Sequence, residues 1–166
     1  LIVDHLGLDG MLRAARIARA AGIPIVSDLE LNVSPHFYEL LGLVDHLIMS
    51  IEFATLLTGE SRPDIAAQKL WSSERKVVVV TCGAAGAWYL SADGVVRHQP
   101  SFPVEIVDTN GCGDVFHGAY AACLARGIET SERVRFACAA AALKATRTGG
   151  HLAVPTQLMV ESLLNQ

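Results

Sequence analysis

Asp108-Thr109-Asn110-Gly111-Cys112-Gly113-Asp114 places two carboxylates and two glycines within seven residues. The glycines let the backbone turn tightly and leave its N–H groups unshielded. The segment follows an extended apolar run, Val104 to Val107, and precedes an apolar helix-like run, Val115 to Leu124. A helix opening at Asp114 would direct free N–H groups and the positive end of its dipole at one point. A carboxylate at the same point can accept a proton. An anion-binding turn beside a base is what phosphoryl transfer to a hydroxyl requires. The backbone N–H groups of Gly111, Cys112 and Gly113 are the candidate anion hole, and Asp114 is the candidate base.

Thr81-Cys82-Gly83-Ala84-Ala85-Gly86 forms a second glycine turn, directly after Val77-Val78-Val79-Val80. Its glycines would let the backbone approach a nucleotide phosphate, although a plain turn uses the same residues. Cys112, close to a helix start, could be a thiol of lowered pKa. No histidine is placed by spacing to act as its base, so a small packed residue is the better account. His117 reads as a packed side chain.

The elements that must position these groups follow from the pattern. Leu1–Val3 predicts a strand. Asp9 is placed to cap a helix running to about Ala21, with Gly22 as its terminator. Ile23–Ser27 predicts a strand ending at Asp28. Ser34-Pro35 is placed to start a short helix, the proline in its first turn. His46–Met49 predicts a strand, followed by a helix from about Glu52 to Leu57, closed by Gly59. Ser61 is placed to cap a helix to about Trp71. The β-branched run at 77–80 is that of a strand buried on both faces. Trp88–Leu90 and Val95–His98 flank a hairpin turn at Ala92-Asp93-Gly94. Helices are expected at about 114–126 and 131–147, and Thr156 is placed to cap a last one. Alternating strands and helices imply an α/β fold: a three-layer, open, mostly parallel sheet with helices on both faces. Ligands of such sheets bind beyond the strand carboxyl ends, where Asp28, Ser50, Thr81 and Asp108 are expected.

Bulk properties narrow the function. The chain has 166 residues, 51% hydrophobic and 18% charged, with net charge −4. That is the composition of a globular domain. The absence of a basic run argues against nucleic acid as a partner. Charged residues or glycine interrupt every apolar stretch before it reaches membrane-span length. The four cysteines lack C-x-x-C spacing and the six histidines lack metal-site spacing, as for reduced thiols in a cytoplasmic protein.

The 108–114 segment resembles the D-T-x-G-A-G-D signature of the ribokinase-like (PfkB-type) carbohydrate kinases, with Cys112 at the usual alanine. Val115-Phe116-His117-Gly118-Ala119-Tyr120 continues the likeness, and Thr81–Gly86 resembles the family's T-x-G-x-x-G loop along the ATP phosphates. The resemblance covers essentially the whole chain. It implies an ATP- and Mg²⁺-dependent kinase acting on a small sugar, with Asp114 as catalytic base and Thr81, Gly83, Gly86, Asp108, Thr109 and Gly150 around the nucleotide. The Ala-rich stretch at 137–145 and the loop Thr148–His151 correspond to the adenine border. Ser50-Ile51-Glu52 stands where the family has N-x-x-E, making Glu52 a candidate for Mg²⁺ through water, and Asp28 a candidate for the Mg²⁺–phosphate shell. Each reads equally as an ordinary carboxylate at its position. Many relatives bind a monovalent cation such as K⁺ near the signature, for which Asp108 and Thr109 are the candidates. Family members carry a longer N-terminal part with the lid and most sugar contacts. The chain is therefore expected to be a single-domain C-terminal portion of a kinase, inactive when isolated, whose full-length form could be a homodimer. Ser50 and Glu30 lean towards ketohexokinase- or fructokinase-like members, and the acceptor itself is not legible. A non-catalytic nucleotide- or metabolite-binding module is the alternative.

Overall fold

The computed structural model describes residues 1–31 and 34–166. The chain forms two compact units. One comprises Leu1–Cys82 with Trp88–His98, and the other Gly83–Ala87 with Gln99–Gln166.

The strands β1 (Ile2–Asp4), β2 (Val26–Asp28), β3 (His46–Ser50), β4 (Val77–Thr81), β5 (Ala87–Ser91) and β6 (Val96–Gln99) lie side by side in chain order. The first four are parallel, with Ile2 opposite Val26, Val26 opposite His46 and His46 opposite Val77. Parallel neighbours need a crossover. α1 (Leu8–Ala20), α2 (Phe37–Leu43) and the pair α3 (Ile51–Thr58) and α4 (Pro63–Leu70) supply it. Only short turns join β4 to β5 and β5 to β6, so those neighbours run antiparallel. This is the open, mostly parallel sheet that the pattern implies. The first four residues of both β3 and β4 are buried. Successive side chains point to opposite faces, so both faces of these strands are covered. Val3, Leu12, Ile25, Phe37, Leu47, Met49, Val78 and Val80 belong to one apolar cluster. Each such side chain contributes roughly 1.5–3 kcal/mol when fully buried.

Several boundaries move for identifiable reasons. β2 starts at Val26, not Ile23. The Ile23 N–H is spent on the Ala18 carbonyl, which closes α1, and Pro24 has no N–H to give. α1 opens at Gly7 (φ 63°) rather than at an Asp9 cap. Asp9 instead meets His36 Nδ1 at 2.9 Å. α2 begins at Phe37, because Ser34 and Pro35 form the preceding turn, where the Ser34 hydroxyl accepts the His36 N–H. Arg62, not Ser61, flanks α4, since Pro63 occupies the first helical position.

The second unit consists mainly of α5 (Cys112–Ala125), α6 (Thr130–Ala145) and α7 (Gln157–Leu164). α6 packs against both others, with Ala139, Ala140 and Val160 buried at the contact. Val104–Val107 is not a strand. The N–H groups of Val107 and Asp108 both go to the Ala145 carbonyl, at 2.8 and 3.1 Å, which ties the segment to the end of α6. Asp108 is therefore not at a strand end, unlike Asp28, Ser50 and Thr81. Among the described residues, no helix is long and apolar enough to cross a membrane.

Candidate active site

α5 opens two residues earlier than the sequence suggests, so Asp114 is its third residue. Gly111 caps the helix at φ 76°, a conformation that strains any residue with a Cβ. The Cys112 N–H is taken by the Thr109 carbonyl at 3.1 Å, and Val115 N–H by Gly111 at 3.0 Å. This removes Cys112 N–H from the expected anion hole. The N–H groups of Gly111, Gly113 and Asp114 have no partner among the described residues. Helix starts leave such donors free as a matter of geometry. The Asp114 carboxylate is exposed, and its Oδ2 lies 3.5 Å from where a Cβ on Gly111 would stand. It therefore hangs over the turn. His117 is buried and its Nδ1 lies 2.8 Å from the Gly113 carbonyl. A carbonyl can only accept, so Nδ1 carries the proton of that bond.

Asp108 clamps the loop from the other side. Its Oδ1 accepts the Asn110 N–H at 2.9 Å and its Oδ2 the Gly149 N–H at 3.3 Å. These bonds, Asn110 first, hold its carboxyl below the ordinary carboxylate value, and Lys144 adds to the effect. Gly150 follows directly on this tie. Lys144, absent from the sequence candidates, is 1% exposed with Nζ 3.8 Å from Asp108 Oδ2. The available signal was a lone cation in Ala139–Ala145, spaced like the buried Ala137 and Ala140. Burial pushes the Cys112 thiol up, with Lys144 acting in the opposite sense. That argues against a nucleophilic thiolate.

The Gly83–Ala85 turn is a single 3₁₀ turn. A Cβ at Gly86 (φ 89°) would stand 2.1 Å from the Gln99 carbonyl oxygen, so the loop requires glycine there. Ser101 Oγ donates to the Ala84 carbonyl at 2.6 Å and fixes the turn. A cavity of about 310 Å³ in the same unit is lined by Asp114, Val115, Ala119, Ala140, Val154 and Pro155, among others. Small residues on α5 and α6 leave that space open.

In the sheet unit, Ser50 and Thr81 stand opposite each other at the carboxyl ends of β3 and β4. The Ser50 hydroxyl accepts the Phe53 N–H at 3.2 Å and so caps α3, with Glu52 exposed in the first turn. Burial, with the Glu52 charge as a lesser contribution, pushes the Cys82 thiol up to about 11. Thr81 Oγ1 donates to the Met49 carbonyl at 3.4 Å. Asp28 closes β2. The described residues contain no cluster of three or more His, Cys, Asp or Glu suited to a metal ion.

The sheet unit is a mostly parallel α/β sheet, and the other unit presents a glycine-capped helix start beside an exposed carboxylate, an arrangement able to receive an anion. The chain belongs to the pfkB family of carbohydrate kinases, whose pattern it matches over residues 1–157. It is 32% identical over 158 residues to a ribokinase from Haemophilus influenzae, covering 90% of this chain and 50% of that protein. The structure of Arabidopsis thaliana ribokinase complexed with ribose and ATP superposes with a TM-score of 0.89 at 26% identity, over 99% of this chain and 55% of the other. A protein from E. coli assigned as ribokinase II, in complex with ATP and Mg²⁺, gives 0.83 at 28% identity, over 99% and 57%. The chain thus spans about half the length of the relatives it matches.

Proposed function

We propose that this chain carries the nucleotide site and catalytic base of an ATP-dependent carbohydrate kinase. One observation carries the reading: the exposed Asp114 carboxylate stands over a helix-start turn whose N–H groups at Gly111 and Gly113 are unclaimed. The substrates bound in the Arabidopsis neighbour, ribose and ATP, support a sugar hydroxyl as acceptor and ATP as donor. In this reading the acceptor oxygen bonds to the γ-phosphorus while the bond from that phosphorus to the bridging oxygen breaks. The hydroxyl proton passes to Asp114, and ADP leaves. The N–H groups of Gly111 and Gly113 meet the charge that collects on the phosphoryl oxygens. Within the second unit the Gly83–Gly86 turn, Thr109 and the Gly149–Gly150 segment are our nucleotide candidates, and within the sheet unit Thr81 is.

The E. coli neighbour supports Mg²⁺ as the companion of the phosphates, where it would offset their negative charge. Mg²⁺ keeps several waters and takes hard oxygen ligands. An exposed carboxylate acting through water fits that habit, and Glu52 is our candidate, with Asp28 second. The four free cysteines suit a reducing compartment, and we place the protein in the cytoplasm.

Calorimetry of the chain with ATP and Mg²⁺ tests the reading, and weak binding is the expected result. A folded circular dichroism spectrum with no heat at millimolar nucleotide would refute it. Nucleotide binding without sugar phosphorylation in the complete protein would favour a binding module instead.

A further inference from the structure

The second unit buries a lysine whose charge has no hydrogen-bond partner. Lys144 sits in the last turn of α6, and its Nζ is unsatisfied among the described residues. A buried ammonium without hydrogen bonds is among the costliest groups a fold can hold. Asp108 Oδ2 is its ion-pair partner, but 3.8 Å is too long for a hydrogen bond, and that oxygen already accepts the Gly149 N–H. The Lys144 Cε lies 3.9 Å from where a Cβ on Gly111 would be, so the lysine stem runs beneath the cap of α5. The ammonium thus adds charge where the helix dipole is already positive. Asp108 offsets part of it. The exposed side of the turn, with its unclaimed N–H groups, is open to an anion that offsets the rest.

A monovalent cation beside Asp108 and Thr109 does not fit this arrangement. It would lie against a fixed ammonium, and both Asp108 oxygens already serve Asn110, Gly149 and Lys144. We propose that Lys144 is the resident cation of the signature turn: its ammonium charges the Gly111–Asp114 anion site from beneath, so anion binding there needs no added K⁺. The proposal rests on the reading of that turn as a phosphate site.

The test is calorimetry of ATP with Mg²⁺ on the 166-residue chain, in potassium chloride and in tetramethylammonium chloride at equal ionic strength. Wild-type affinity should agree within about twofold between the salts, and Lys144→Met should weaken it at least about tenfold in both, because a buried charge acts on a nearby anion through a medium of low dielectric. Lys144→Ser, which opens space for an ion, should regain much of the loss in potassium chloride only. Lys144→Met should also melt no lower than wild type, because it removes an unsatisfied charge. Wild-type binding that strengthens about tenfold with K⁺ would overturn the proposal and leave the phosphate reading standing. So would Lys144→Met binding as tightly as wild type, or a folded Lys144→Ser that K⁺ does not rescue. A Lys144→Met chain that melts lower would make the lysine a structural group and also overturn it. Wild type that binds in neither salt removes both readings together.

Discussion

The two compact units bury charge in opposite ways. In the sheet unit, Asp45 accepts from Arg19 at 2.5 Å and from the Ile25 N–H at 2.9 Å. Arg75 donates to the carbonyls of Leu70, Leu41 and Val44 at 2.9, 3.0 and 3.3 Å. These groups brace loops against the core, and none of their buried side-chain atoms is left without a partner. In the signature unit, Lys144 Nζ and two Arg133 nitrogens lack hydrogen bonds among the described residues. Arg133 is compensated by Thr130 and by the Tyr120 ring, 5.3 Å from its guanidinium carbon. Among the described residues, Lys144 has only the distant Asp108 oxygen. Buried charge that is fully paired supports a fold. Buried charge left half paired beside free N–H groups is what the proposed anion site would use.

The largest expected effect separates function from bracing altogether. Under the proposed function, Asp114→Asn in the complete protein should lower kcat by ~10²–10⁴, the usual worth of general-base help, with ATP Kd almost unchanged. Near wild-type kcat would move the base to another carboxylate, such as Asp28, or to water.

Backbone fit should matter next. Gly86→Ala drives a Cβ into the Gln99 carbonyl at 2.1 Å from a left-handed backbone. It should cost at least about 3 kcal/mol in denaturant unfolding. Gly83→Ala, also left-handed but with nothing within 4 Å, should cost only about 1 kcal/mol. Equal costs would mean that the Gln99 contact does not hold the turn.

The contrast in buried charge predicts opposite signs. Asp45→Ala strands Arg19 and the Ile25 N–H and should destabilise by about 2 kcal/mol. Lys144→Met should not destabilise. If both variants melt equally low, the two units do not differ in the way described.

Asp108 gives a smaller effect, read through pH. Its folded-state carboxyl lies below the ordinary 3.8, so protons favour the unfolded chain. The stabilisation is present above that value and is lost as pH falls towards the folded one. Wild type should therefore lose more thermal stability than Asp108→Asn between about pH 5 and about pH 3. Parallel losses would show that the Asn110 and Gly149 bonds contribute little. Smallest of all, Cys112→Ala should keep kcat within about twofold, because a thiol raised by burial supplies no thiolate. A large loss of activity would reopen the nucleophile reading.

Local sequence determined whatever depends on neighbours along the chain. Val77–Val80 had to be a strand covered on both faces, because β-branched residues at every position leave neither face fit for water. Gly22 and Gly59 marked the ends of α1 and α3, where both take left-handed backbone. The local geometry of the signature was legible in part, since a turn and a carboxylate at a helix start are both local, while the Cys112 N–H proved to be spent on Thr109. Tertiary structure decided what depends on distant partners. Val104–Val107 has the composition of a strand, yet the Ala145 carbonyl captures Val107 and Asp108 and takes the segment out of the sheet. Asp108 is bound to Gly149, 41 residues away, which no spacing rule connects. Lys144 was not among the sequence candidates, and it is the end of α6 that places it under Gly111. A side chain's burial and its partners are set by what the fold brings beside it, and a sequence pattern carries that only where those partners are near in the chain.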